Sequence, residues 1–308
     1  MAKTFSEQLV DVIKNKKIST KIKKNKIDFL IKLGADVNFS ADVLLACDDI
    51  EMADFLVSKG FDVDIFDEKN EPLIVRFVKE NNVPMVKFLI EKNAKLNALG
   101  ATKTPALSVA ISNKNDEIMN LLLENKCDIN QKGYMGFVPL MYACKFSNKK
   151  AVEELLKRGA NIDAREYMHG LTSLMMVEDG KIAKMLIDAG AKVNDVDNLN
   201  ASPLMRACNK DVAEVLIANG ANIQAKDNEG KTALVYAIER ELLEVVESLI
   251  KHGADIKIVD KFERVVKGTS EEIKAYLQKV YSNKHNQSFK GKMEAFIWDI
   301  FASKWIRS

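Results

Sequence analysis

Histidine, cysteine and tryptophan are scarce in this 308-residue chain, with three, four and two copies. His169, His252 and His285 lie far apart, and no two stand at the helical spacing of a ligand pair. Cys47, Cys127, Cys144 and Cys208 include no CxxC pair, so neither a zinc site nor a disulfide framework is indicated. The cysteines sit within apolar signatures and read as core filling rather than nucleophiles. Their sparseness fits a reducing compartment. There is no GxxxxGK[ST] and no GxGxxG after a strand, which removes the common phosphate cradles. Asp and Glu are scattered over turns and outer helix faces, so no acid–base constellation stands out. No run of about 18 apolar residues occurs, which argues against a spanning helix. The opening MAKTFSEQLVDVIKNKK lacks an apolar core of signal-peptide length, so a cytoplasmic location is expected.

A net charge of either sign is missing as well. Lys and Arg total 46 against 44 Asp and Glu, so the chain as a whole offers no strong field for nucleic acid. The distribution is uneven. Residues 1–33 hold nine Lys against Glu7, Asp11 and Asp28, a net of +6. Residues 279–308 hold five Lys and one Arg against Glu294 and Asp299, a net of +4. The total is +2, so residues 34–278 sum to −8. The middle is acidic and the ends are basic.

What the chain has in abundance is one pentapeptide. It reads GADVN at Gly34, GFDVD at Gly60, GANID at Gly159, GAKVN at Gly190, GANIQ at Gly220 and GADIK at Gly253. Asn93 and Lys126 open two further copies. Successive spacings are 26, 33, 33, 33, 31, 30 and 33 residues, a period that signals stacked supersecondary units. Apolar pairs precede the motif (DFLIKLG, KFLIEKN, EVLIANG), as at the end of an amphipathic helix. Its first residue suits a left-handed helix stop, which glycine adopts without a Cβ penalty and asparagine tolerates. Lys126 departs from this, and the neighbouring Asn125 is expected to take the cap. Asn38, Asp64, Asn97, Asn130, Asp163 and Asn194 close the motif and are expected to bond nearby backbone and fix the turn. Gln224 and Lys257 break that rule. A tip loop follows, then a second signature: EPLIVRF, KTPALSVA, GFVPLMYAC, GLTSLMMV, ASPLMRAC or GKTALVYAI. Thr or Ser there is expected to cap a helix with its hydroxyl, and Pro suits the first turn. Each unit is therefore turn, helix, loop, helix.

This pattern resembles the ankyrin repeat, a turn plus two helices with T-P-L-H-x-A and a 33-residue period. The resemblance covers roughly residues 22–280. It implies an all-α ankyrin-repeat solenoid of about eight to nine helix-turn-helix units with short β-hairpin-like turns, plus a C-terminal helix. The family's His is replaced by Met141, Met175, Met205 and Val235, which implies more apolar stacking. Units 164–194 and 195–224 lack about three residues, and the unit at 39–64 lacks most of its tip. These losses are expected in loops. The expected division is an N-terminal helical cap at 1–33, a repeat array at 34–281, and a linker with a C-terminal amphipathic helix at 282–308.

A stacked array exposes its tips and a wall of first helices, and the resemblance implies that a protein partner binds there. The tips with Asp67, Glu68, Lys69 and Asn70, with Asp197, Asn198 and Asn200, and with Asp227, Asn228, Glu229 and Lys231 read as solvated turn formers. The central tips differ. GYMGFVP carries Tyr134, Met135 and Phe137, EYMHGLT carries Tyr167, Met168 and His169, and Phe146 follows at the end of a first helix. Aromatics and Met at exposed positions are a hot-spot composition, which makes these seven the candidate partner-binding residues. The competing expectation is that the tips fold down and bury these rings.

Further on, KMEAFIWDIFASKWI places Met293, Phe296, Ile297, Ile300, Phe301 and Trp305 on one helical stripe. Such a stripe suits capping of the last repeat, docking to a partner or a second copy, or membrane contact through residues 293–306. Ahead of it, Thr269 and Glu272 stand at capping-box spacing. The basic first 33 residues suit a solvated cap face, with only Phe5 and Phe29 as aromatics among the lysines. The function expected is a monomeric, non-enzymatic scaffold without cofactor or metal. It binds a protein partner through its central tips and concave helix face and has no nucleic-acid role. The alternative is a peripheral membrane-associated adaptor, or a delivered effector module, using the C-terminal amphipathic helix.

Overall fold

The pentapeptide is where helices stop. In the computed structural model, which describes residues 3–47 and 49–284, its first residue takes a positive φ in every copy. The values are 95° at Gly34 and Gly60, 61° at Asn93 and Lys126, and 79° to 102° at Gly159, Gly190, Gly220 and Gly253. The Gly34 N–H donates to the Ile31 carbonyl and the Ala35 N–H to the Leu30 carbonyl, both at 2.9 Å, the double closure of a Schellman stop. Lys126 itself makes the left-handed turn that Asn125 was expected to make. Asn125 stays at φ −94° and donates its amide to the Leu121 carbonyl at 2.8 Å.

The chain divides into two compact units, Met1–Asn161 and Ile162–Ser308. In the first, helices succeed one another in pairs: α1 (Phe5–Lys14) and α2 (Thr20–Lys32), α3 (Asp42–Leu45) and α4 (Ile50–Ser58), α5 (Leu73–Lys79) and α6 (Val83–Glu91), α7 (Ala106–Ser112) and α8 (Asp116–Glu124), α9 (Pro139–Lys145) and α10 (Lys149–Lys157). The first members α5, α7 and α9 pack in order, as do the second members from α2 to α10. In the second unit, a 3-10 segment at Ser173–Met176 precedes α11 (Gly180–Asp188). Then come α12 (Pro203–Arg206) and α13 (Lys210–Ala218), α14 (Ala233–Glu239) and α15 (Leu243–Lys251), α16 (Glu263–Gly268) and α17 (Glu271–Lys284). The same two rows recur there. Among the described residues the one β-bridge joins Phe66 and Pro72, and no helix is long and apolar enough to cross a membrane. The stripe from Met293 to Trp305 lies outside the described residues.

Burial of the apolar rows holds each unit together. Leu73, Leu107 and Leu140 of the first helices and Leu89, Leu122 and Leu155 of the second are buried. Met141, Met175, Met205 and Val235, which stand where the family pattern has His, are buried too. Each such side chain contributes about 1.5–3 kcal/mol of apolar transfer.

The pentapeptide's two polar positions have separate roles. Asp36, Asp62, Asp128, Asn222 and Asp255 each accept the N–H two residues on, at 2.8–3.0 Å, and fix the local turn. The last position instead reaches the next repeat. Asn38 accepts from the Asp62 N–H at 2.6 Å, Asp64 from Lys95 at 2.7 Å, Asn130 from Asn161 at 2.8 Å and Asn194 from Asn222 at 2.8 Å. Gln224 keeps this rule rather than breaking it. One methylene longer, it accepts from Asp255 at 3.2 Å and donates to the Gly253 carbonyl at 2.8 Å.

The repeats at 164–194 and 195–224 lose helix rather than loop, whereas the repeat at 39–64 loses both, with residues 39–41 standing where 65–72 form the next tip. The full-length repeats have seven-residue first helices and then a left-handed residue: Asn81, Lys114, Ser147 or Glu241, at φ 48° to 56°. In the short repeats the first helix falls to four residues, at Asp42–Leu45, Ser173–Met176 and Pro203–Arg206. About three residues is nearly one 3.6-residue turn, so the buried face keeps its register.

The helix caps also differ from expectation. Of the signature hydroxyls, Ser202 accepts a capping N–H, from Met205 at 3.4 Å. Thr104 donates to the Thr102 carbonyl instead, and Thr172 and Thr232 make no cap. The working caps are on the second helices: Asp49, Asn82, Asn115, Asn148, Asp179 and Asn209. Because α17 begins at Glu271, Thr269 stands outside its cap and donates to the Ile238 carbonyl at 3.4 Å. A full capping box forms at α1 between Thr4 and Glu7.

Candidate protein-interaction surface

In the first unit, the tip at 131–137 is a short closed loop. The Gly133 N–H donates to the Phe137 carbonyl at 2.8 Å, and Met135 and Gly136 take φ of 54° and 82°. The loop packs on the preceding tip so closely that a Cβ at Gly133 would stand 2.8 Å from the Lys103 carbonyl oxygen. This lifts Tyr134 outward at 54% exposure, with Met135 half-buried beside it.

Phe137 leaves the tip and meets α9. Its ring stands edge-on to Tyr142 at 5.7 Å, and Tyr142 stacks with Phe146 at 6.4 Å. The three form a partly exposed aromatic strip. The Lys145 ammonium lies 5.9 Å from the Phe137 ring centre, in cation–π range. Burial pushes the Tyr142 phenol above its ordinary range, against a smaller downward pull from a hydrogen bond to Thr104. Sequence reasoning missed Tyr142, the ring that joins Phe137 to Phe146. Its signal was present: Tyr142 and Phe146 are four apart on one helix and share a face.

The strip also has a distinct charge. Residues 98–115 and 129–152 contain no Asp or Glu, within a stretch that is acidic overall. They carry Lys103, Lys114, Lys132, Lys145, Lys149 and Lys150. Lys149 and Lys150 pair with Glu153 and Asp116. Among the described residues Lys103, Lys114 and Lys145 form no ion pair.

Tyr167, Met168 and His169 belong to the second unit and are organised around Glu166. Its buried carboxylate accepts the N–H groups of Met168 at 2.8 Å, His169 at 2.6 Å and Leu171 at 3.1 Å. Burial alone would raise this carboxyl, but the three donors outweigh it and hold the group below the ordinary carboxylate range. The Asn198 N–H donates to the His169 carbonyl at 2.8 Å, tying this tip to the next. Tyr167 is 64% exposed and Met168 55%. The rings at Tyr134 and Tyr167 have therefore not folded down.

The tips read as solvated turn formers are built differently. Asp67, Asp197 and Asp227 are buried, and each accepts two backbone N–H groups of its own tip. Asp197 also pairs with Arg206, and Asp227 accepts from the Tyr236 hydroxyl at 2.8 Å. Asp197 and Asp227 thus fasten their tips to first helices, while Asp67 closes its own tip.

Cys127 and Cys144 are buried in the core, and burial raises both thiols, Cys127 to about 12. Neither is a thiolate near neutral pH. Among the described residues no three His, Cys, Asp or Glu side chains are grouped to hold a metal ion.

The family model described as Ankyrin repeats (3 copies) matches residues 43–133, 78–166 and 173–260, together more than half of the chain. The chain belongs to the ankyrin-repeat family. Ankyrin repeats generally mediate protein–protein interaction and are typically non-enzymatic scaffolds. No curated protein sequence matches this ankyrin-repeat protein. It is similar to a chain in the structure of the predatory endopeptidase Bd0816 from Bdellovibrio bacteriovorus in complex with the immunity protein Bd3460. Identity is 26% over 61% of this chain and 99% of that one, with a TM-score of 0.54. Its fold is also similar to the ankyrin repeat domain of Bcl-3, a member of the IkappaB protein family, at 19% identity. That likeness covers 81% of this chain and 98% of that one, with a TM-score of 0.54. In all, 541 solved chains match, so the ankyrin fold by itself selects no partner.

Proposed function

We propose that this ankyrin-repeat protein is a non-enzymatic scaffold that binds an acidic segment of a partner protein through the tip and first-helix surface of its first unit. The observation that carries this reading is the strip Phe137–Tyr142–Phe146, with exposed Tyr134 three residues before it, in sequence stretches that lack Asp and Glu and hold Lys103 and Lys145 without ion-pair partners. Exposed aromatics supply contact area at low conformational cost. Lysines around them attract carboxylates and repel basic competitors. The tip with Tyr167, Met168 and His169 is a second contact of the same kind. The similar complex of an endopeptidase with its immunity protein is a precedent for protein recognition among chains of this fold. The test is capture of partners from source-cell lysate by the wild type beside a Tyr134→Ser/Phe146→Ser variant. Both positions are exposed, so the variant is expected to melt like the wild type and to lose the captured protein. If it keeps the same protein, the strip is not the site.

A further inference from the structure

The exposed face of the helix pair α1–α2 carries large apolar side chains among its lysines. On α2, Lys23, Ile27 and Leu30 are buried. Next to that face, Ile22, Lys26, Phe29 and Leu33 follow at spacings of four, three and four, a single row along the helix. All four are exposed, Phe29 to 61%. The row runs about 16 Å at 1.5 Å per residue. Phe5 is exposed in the first turn of α1. The next residue, Ser6, accepts the Asp36 N–H at 3.0 Å, which sets that turn beside the end of α2 that carries Leu33.

The unpaired charges of residues 1–33 are of one sign, although the exposed Asp36 follows just past Leu33. The three acidic groups of residues 1–33 are already engaged: Glu7 in the capping box, Asp11 with Lys3, and Asp28 with Lys59 at 2.8 Å. Lys14, Lys16, Lys17, Lys21, Lys26 and Lys32 are exposed and, among the described residues, form no ion pair.

We propose that α1–α2 docks on an anionic lipid surface, independently of the protein-binding strip. A helix face with large apolar side chains in a row, Lys26 within it and Lys21 and Lys32 along its solvent-facing flank, is a pattern that lies in a membrane interface. The apolar side chains enter the headgroup boundary while the lysines stay with lipid phosphates. The exposed lysines are spread over two helices and their link, which suits the many phosphates of a lipid surface better than one short protein segment. Ile22 and Leu33 are aliphatic and cannot stack on bases, which disfavours nucleic acid.

The test is flotation of the full chain with phosphatidylcholine vesicles, with or without about 30% phosphatidylserine. The wild type should bind the anionic vesicles about a hundredfold more tightly than the neutral ones, or more, and raised salt should weaken it. Ile22→Ser/Phe29→Ser/Leu33→Ser should reduce binding about tenfold without lowering the melting temperature. Lys21→Glu/Lys26→Glu/Lys32→Glu should reduce it about a hundredfold, since each surface lysine is worth a factor of about five. No binding by the wild type overturns the proposal. So does binding unchanged in the apolar triple variant, which would place the contact in residues 293–306. Binding of a DNA oligonucleotide without vesicle binding also overturns it, in favour of phosphate-backbone contact.

Discussion

The carboxamide oxygen of Asn97 accepts the backbone N–H of Asp128 at 2.9 Å, thirty-one residues further on. Equivalent bonds from Asn38, Asp64, Asn130, Asn194 and Gln224 tie each turn to the next within its unit. These bonds are struts between repeats. Asn97→Ala should therefore lower the stability of the first unit by about 1 kcal/mol in urea melts. Asn97→Asp should be nearly neutral, because Asp64 already fills this role at 2.7 Å.

Lys126 holds φ 61° at a position where most copies use glycine. A Cβ in the left-handed region is strained, and Lys126 is exposed, so its side chain contributes little packing. Lys126→Gly should raise stability by about 0.5–1 kcal/mol, read as a higher midpoint in denaturant.

Gly133 is required for a different reason. A Cβ there would meet the Lys103 carbonyl oxygen at 2.8 Å and the Pro105 ring at 2.7 Å. Gly133→Ala should cost about 1–3 kcal/mol by forcing the tips apart. Gly268→Ala meets nothing within 4 Å and serves as the tolerated control.

Glu166 makes the second unit acid-sensitive. Its folded carboxyl titrates below the unfolded one, so its contribution is fully present above the ordinary carboxylate range and is lost as pH falls through the depressed value. Glu166→Gln should cost about 1–3 kcal/mol at neutral pH and flatten the decline between neutral and acidic pH. Urea melts of both proteins across that range check this.

The period, the left-handed stops and the buried Met and Val positions were legible because each follows from a local rule applied to repeated letters. What was not legible was the direction of side-chain bonds. Asn97 carries no mark that its partner lies in the next repeat, and Asp197 resembles any solvated turn residue. Thr232 and Ser202 look alike in sequence, yet only Ser202 caps its helix. Of the strip, Phe137 and Phe146 were readable by composition. Tyr142 was hidden in an apolar helix signature until packing placed it between them.

Recognition of acidic partner segments by the first unit's aromatic strip can be read from peptide binding. Selection from a random peptide display library on the immobilised full chain tests it most directly. The enriched peptides should carry Asp and Glu around an apolar anchor and should not bind the folded Tyr134→Ser/Phe146→Ser variant. Enrichment of neutral or basic peptides, or equal binding to that variant, would contradict it.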